Sequence, residues 1–233
     1  MNIKDSVILV TGANRGLGLA LTKALLQSGA RKVYAAARDP ATITLAGVHA
    51  IRLDVTDAAS IAAAVAACPD LTILINNAGV ALPSSLLGAD AARLARQHLD
   101  TNLFGPLELS QAFAPVLANN RGGAIVNILS VLSWVTMPGS AAYSISKAAA
   151  WAMSNALRTE LRGQNTQVLS AHMGYMDTDM TRGLDTPKSD PAVIAERILR
   201  ALESNQHEVL ADEFTGQVKQ GLTAPRSVYL GAE

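Results

Sequence analysis

The chain of 233 residues has a single cysteine, no net charge and no long apolar run. With Cys68 alone, an internal disulfide and a Cys-cluster metal site are both excluded, and a reducing compartment fits. The 19 basic and 19 acidic residues cancel, so the basic excess of a general nucleic-acid binder is missing. Nowhere do roughly 18 apolar residues follow one another, so no transmembrane helix is expected. Nor does a basic-then-apolar leader open the chain. These absences point to a soluble, cytoplasmic protein without a nucleic-acid or membrane partner and without a metal.

What is present is an alternation. Short β-branched runs, at 7–10, 32–37, 49–53, 71–75, 124–129, 167–172 and 208–211, are spaced by stretches of helical period. Those stretches lie near 17–28, 58–67, 90–101, 106–119, 141–162 and 191–204. Several of the strand candidates are apolar throughout, as expected when helices cover both faces of a sheet. Repeated strand–helix alternation predicts an α/β fold: one doubly wound parallel sheet of about seven strands with right-handed crossovers. With no linker, repeat or low-complexity tract, a single domain over 1–233 is expected. The segment 174–191 has neither period, and a loop of that length in a compact domain is usually functional.

The first crossover, "VILVTGANRGLGLALTKALLQSGA", reads as a strand, a glycine-rich turn and a helix. Gly12, Gly16 and Gly18 allow a tight turn and a close approach to a diphosphate, whose charge the helix N-terminus would meet. The end of the second strand reads "AAARDP". Ala36 and Ala37 offer no carboxylate for a ribose 2′-hydroxyl, whereas Arg38 follows and Arg15 lies inside the glycine turn. Guanidinium groups suit a 2′-phosphate through paired, charge-assisted bonds, so NADP(H) is the expected cofactor. Asp39 is the competing residue should the strand end later.

In "SAAYSISKAAA", Tyr143 and Lys147 stand four apart among small side chains. That spacing puts both on one helix face, and a nearby ammonium would lower a phenol pKa from its ordinary ~10.

Taken together, "TGANRGLG" (11–18), "LDVTD" (53–57), "NNAG" (76–79), Asn102 in "TNLFGP", Ser130 in "NILS" and "YSISK" (143–147) resemble the short-chain dehydrogenase/reductase family from end to end. The resemblance implies a single Rossmann-type domain and hydride transfer between NADP(H) and a ketone or aldehyde. It makes Tyr143 the general acid/base, with Lys147 lowering its pKa and holding the nicotinamide ribose. Ser130 would steady the carbonyl, and Asn102 would tie Lys147 to a proton-relay water. It also places Asp54 and Val55 at the adenine, Asn76, Ala78 and Gly79 along the cofactor, and Thr178 at the carboxamide. Asn14 and Leu17 of the glycine turn, with Gly174 and Met176 beyond the sixth strand, complete the cofactor surface that the resemblance implies. One departure is Met173-Gly174 where the family usually has Pro-Gly, which frees a φ angle and suggests a more mobile loop.

Near the catalytic residues, Leu132, Trp134, Met137 and Tyr175 suggest an apolar substrate. The segment 174–191 is expected to act as a lid. Apolar residues on the helices near 90–101 and 106–119 exceed what one buried face needs, and a homodimer or homotetramer would cover them. Two alternatives are a non-catalytic NADP(H)-binding regulator and a nucleotide-sugar epimerase or dehydratase. The first has no need for Ser130, Tyr143, Lys147 and Asn102 together, and the second usually carries a larger C-terminal domain.

Overall fold

Strand β1 (Val7–Thr11) has no exposed residue, and its side chains divide strictly between two cores. Ile8 and Val10 face one, Val7 and Leu9 the other, which is why the run is apolar without alternation. A computed structural model describes residues 1–230 of the chain. The other strands are β2 (Lys32–Ala37), β3 (His49–Arg52), β4 (Ile73–Asn76), β5 (Gly123–Ile128), β6 (Thr166–His172) and β7 (Glu208–Leu210). All pair in parallel in the order β3-β2-β1-β4-β5-β6-β7. Chain order reverses between β1 and β4, and ligands of doubly wound sheets bind in the crevice at that switch point.

Helices α1 (Gly16–Gln27) and α6 (Pro191–Glu203) cover one face, with Leu21, Leu25, Ile194, Ile198 and Leu202 packed on Ile73, Ile75 and Val126. On the other face α2 (Ala58–Ala67), α4 (Gly105–Asn119) and α5 (Ala141–Glu160) bury Ile61, Leu109, Phe113, Leu117 and Leu157 against Leu74, Ile125 and Val168. Helix starts follow local chemistry: Asp57 accepts from Ala59 N at 3.0 Å ahead of α2, and Asp190 from Ala192 N at 2.8 Å ahead of α6. Cys68 is the buried C-cap of α2, and burial pushes its thiol up to about 12.

Each expected strand and helix lies within two residues of its expected bounds. Two features were not expected. Helix α7 (Glu213–Gly221) follows β7; with Gly216 and Gly221 in it and only Thr215 buried, its sequence has little helical period. The helix expected near 90–101 is α3 (Ala91–Leu99), which runs into a π-helical turn at Asp100–Phe104 before α4. Pro106 has no N–H to offer the Asn102 carbonyl, so the α-helical ladder cannot run through this point.

The apolar surplus of α3 and α4 is taken up largely within the chain. Leu109, Phe113 and Leu117 are buried, and Leu94, Leu99, Leu103, Leu107 and Val116 are half-buried, leaving Phe104 44% exposed. Among the described residues, no helix is long and apolar enough to cross a membrane, and no group of His, Cys, Asp or Glu could hold a metal ion.

Candidate active site

The glycine turn joins β1 to α1 over the C-terminal edge of the sheet. Gly12 (φ +64°) and Gly16 (φ +53°) adopt left-handed backbone that other residues rarely take. A Cβ on Gly18 would overlap the Gly12 carbonyl oxygen and stand 2.6 Å from Asn77 Nδ2. Arg15, the N-cap of α1, gives no side-chain cap, so the first N–H groups of the helix are left for an anion. The turn is clipped to the end of β4 by two residues the sequence reading passed over. Thr11 Oγ1 accepts from Asn77 N and Ala78 N, both at 2.9 Å. Asn77 Nδ2 donates to Thr11 O at 2.8 Å and to Gly12 O at 3.1 Å.

Ser130 follows β5; its hydroxyl accepts from Leu132 N at 3.1 Å and caps the short turn Val131–Ser133. Tyr143 and Lys147 stand on the first two turns of α5, with Lys147 buried and Tyr143 half-buried. Lys147 Nζ lies 5.6 Å from the centroid of the Tyr143 ring and donates to Ile128 O at 2.8 Å. Across the cleft, Asn102 Oδ1 accepts from Val80 N at 2.9 Å, while its Nδ2 donates to Val80 O and to Ser146 Oγ, each at 2.9 Å. The π-helical turn thus fastens the loop after β4 to the residue beside Lys147.

The expected effect of Lys147 on the phenol needs correction. Burial pushes the Tyr143 phenol up to about 12, with the Ser130 hydroxyl pulling the other way. Burial also brings Lys147 down to about 8. The ammonium makes no hydrogen bond to the Tyr143 hydroxyl and donates to a main-chain carbonyl, so desolvation dominates both groups.

The chain that carries this arrangement has close counterparts among known proteins. The family model for short chain dehydrogenases matches residues 6–189. The chain belongs to the short-chain dehydrogenase/reductase family. A short-chain dehydrogenase from Burkholderia cenocepacia, solved in complex with NADP, is 39% identical. It superposes with a TM-score of 0.93, covering 97% of this chain and 96% of that one. The 3-oxoacyl-acyl-carrier-protein reductase of Escherichia coli is 31% identical over 79% of this chain and 79% of its own length. A family member from Burkholderia phymatum in complex with NAD, 21% identical with a TM-score of 0.82 over 95% of this chain and 94% of that one, shares the fold.

The remaining residues of this short-chain dehydrogenase divide into those brought to the cleft and those committed elsewhere. Thr178 lies against the glycine turn, where a Cβ on Gly16 would meet its Cγ2 at 3.4 Å. Tyr175 donates its hydroxyl to Met137 Sδ at 3.2 Å, so two expected substrate residues touch, and Leu132 is buried behind Ser130. Gly79 passes so close to Asn102 that a Cβ would stand 3.1 Å from its Oδ1. Asn14 Nδ2 donates to Thr42 Oγ1 at 3.1 Å. Asp54 Oδ1 accepts from Thr56 N at 3.0 Å and Thr56 Oγ1 at 2.8 Å, which hold its carboxyl below the usual range.

Several side chains are spoken for. Leu17 is in the core, and Val55 packs on Gly105. Asn76 donates from Nδ2 to Asn127 Oδ1 at 2.9 Å and Ser110 Oγ at 3.3 Å, inside the sheet–helix layer. Arg15, expected beside Arg38, is 3.6 Å from Asp179 in an exposed ion pair. Asp39 caps the turn Pro40–Thr42 by accepting from Ala41 N at 3.0 Å.

Trp134 stacks on His172 (centroids 4.1 Å, planes 25° apart) and meets Trp151 edge-on at 6.1 Å, with Lys219 Nζ 4.4 Å above its ring. The loop after Met173-Gly174 is anchored at its start by two hydrogen bonds: Val131 N donates to Met173 O at 2.9 Å, and Gly174 N to Asp212 Oδ2 at 2.6 Å. Further along, Asp177 N donates to Ser189 O at 3.0 Å and Ser189 N to Tyr175 O at 2.9 Å, closing 174–191 on itself. His98 also went unread: its Nε2 accepts from Leu82 N at 2.9 Å, and its ring stands edge-on to Tyr143 at 6.3 Å.

Proposed function

We propose that this oxidoreductase is an NADP(H)-dependent carbonyl reductase, interconverting a ketone or aldehyde and its alcohol with Tyr143 as general acid/base. The observation that carries the reading is the convergence of Tyr143, the Ser130 hydroxyl and the Lys147 ammonium beside the Asn102 clip. The residues fit the cofactor. Gly18 lets the glycine turn fold back on the start of α1 where a Cβ would strike the Gly12 carbonyl, the N-terminus of α1 has no side-chain cap, and Arg38 makes no ion pair among the described residues.

NADPH supplies the hydride when bound. The protein's part is to orient the carbonyl, exclude water and deliver a proton. Ser130 Oγ polarises the substrate oxygen, and Tyr143 Oη gives that oxygen its proton as it becomes an alkoxide. A phenol held up at about 12 stays protonated through neutral pH, which suits reduction. Lys147, brought down to about 8, is charged at neutral pH and loses that charge as the pH rises through its folded value. Asn102, reaching Ser146 one residue before Lys147, sets the position of that turn of α5.

The segment 174–191 forms a strap over the cleft, with Tyr175 against Met137 and Thr178 against Gly16, and Leu132, Met137 and Tyr175 favour an apolar substrate. Exposed Phe104 and Ile145, near the starts of α4 and α5, support assembly as a homodimer or homotetramer. Family membership and the four polar residues together favour this reading over a non-catalytic NADP(H) sensor or a nucleotide-sugar epimerase. Loss of NADPH absorbance with a panel of apolar ketones and aldehydes tests it. Substrate-dependent oxidation is expected; tight NADPH binding without turnover on any carbonyl would overturn it.

A further inference from the structure

The cofactor crevice has a second basic wall. A cleft of about 510 Å³ opens beyond the ends of β2, β3 and β4, where Arg38, Thr56 and Val80 line it; α3 and the π-helical turn close it with Arg93, Arg96 and Asp100. The nearby carboxylates are mostly committed. Asp54 is held by Thr56, Asp39 caps its own turn, and Asp90 pairs with Arg93 at 3.0 Å. Asp100 lines the cleft one helical turn after Arg96, yet forms an ion pair with neither Arg96 nor Arg38. Among the described residues, Arg38 and Arg96 therefore line one cleft, from the end of β2 and from α3, without an ion-pair partner. Arg15, the other guanidinium expected here, is engaged by Asp179.

We propose that Arg96 is a specificity-determining residue that, with Arg38, clamps the ribose 2′-phosphate of NADP(H) between the end of β2 and helix α3. The inference rests on the NADP(H) reading above and adds an element to it. A dianionic phosphate matches the planar fork of a guanidinium and gains from two guanidiniums that no carboxylate pairs directly, with Asp54 acting on Arg38 only at longer range and Asp100 on the cleft lining. A 2′-hydroxyl gains little from either arginine. Because Arg96 is in the last turn of α3, where a cation also favours the helix dipole, its removal could act through the helix alone. That effect would touch both cofactors alike.

The test is the dissociation constant of NADPH and of NADH, followed by nicotinamide fluorescence, for the wild type, Arg38→Ala, Arg96→Ala and Arg96→Lys. Loss of one charge-assisted phosphate contact corresponds to roughly tenfold to a hundredfold weaker binding. Arg96→Ala is expected to weaken NADPH on that scale and leave NADH nearly unchanged, with Arg96→Lys in between. Inhibition by 2′,5′-ADP should weaken in parallel, while 5′-AMP should not respond. If Arg38→Ala shifts the NADPH-to-NADH ratio and Arg96→Ala does not, α3 has no part in selection and the NADP(H) reading stands. Equal weakening of both cofactors by Arg96→Ala overturns the inference as a structural effect. A wild type that prefers NADH overturns the inference and the reading beneath it together.

Discussion

Acidification should destabilise this protein through one side chain, His172. Its ring is fully buried at the end of β6, where Nδ1 lies 3.1 Å from the carbonyl oxygen of Ser130 and so carries the hydrogen. Nε2 is buried without a hydrogen-bond partner among the described residues, and Glu208 Oε1 stands 3.6 Å away. Burial brings the imidazole down from 6.5 to about 4; Lys219 and Lys147 act in the same direction, while the Ser130 carbonyl and Glu208 oppose it. A base with a depressed folded pKa contributes stability that is fully present above the unfolded value, near 6.5, and is lost as the pH falls toward the folded one. The limiting slope for one proton is about 1.4 kcal/mol per pH unit, so the loss between pH 7 and 5 is roughly 2 kcal/mol. That is a sizeable part of the ~5–15 kcal/mol that holds a typical domain together.

Asp54 and Asp70 also have lowered pKa values, but theirs lie below 3.8, so their contribution is lost only at more acidic pH. Urea denaturation followed by circular dichroism at about pH 7, 6 and 5, for the wild type and His172→Gln, isolates the histidine. The variant starts from a lower stability, having lost the ring stacked on Trp134, but its pH slope should be shallower by about one proton. Identical slopes in the two proteins would refute the reasoning.

Three further outcomes are expected. Gly18→Ala should abolish NADPH binding measured by fluorescence titration, since its methyl would strike the Gly12 carbonyl and the glycine turn would have to shift; unchanged binding would contradict this packing. The strap 174–191 should be cut more slowly by trypsin at Arg182 when NADPH is present, and equal rates would count against a closing role. Light scattering at micromolar concentration should give two or four times the mass of the 24.3 kDa chain, whereas a monomer would leave Phe104 and Ile145 as ordinary surface residues.

How legible the site was depended on whether the deciding contacts were local. Strand–helix alternation and the Asp caps of α2 and α6 act over a few residues, so the elements stood close to their expected bounds. Asn76 could have been read better: alternation along β4 puts it on the same face as Leu74, toward α4, leaving Asn77 for the glycine turn. The Lys147 ammonium could not, because its acceptor, Ile128 O, comes from β5. Trp134 illustrates the same limit. Its neighbours His172, Trp151 and Lys219 come from β6, α5 and α7, and α7 itself has too little apolar period to be seen. The anchor of Gly174 N is equally non-local: Asp212, which accepts from it, is nearly forty residues further along the chain.

The central claim is that Tyr143 gives the substrate oxygen its proton, and Tyr143→Phe tests it most directly. The substitution removes one hydroxyl and leaves the ring beside Lys147 and His98 in place. Paired measurements of NADPH dissociation constant and kcat for a good carbonyl substrate should separate binding from chemistry. The expected result is unchanged binding with turnover lowered by roughly a hundredfold or more, the scale of a positioned proton donor. Near-normal reduction by Tyr143→Phe would contradict the mechanism and leave the tyrosine as a packing residue at the start of α5.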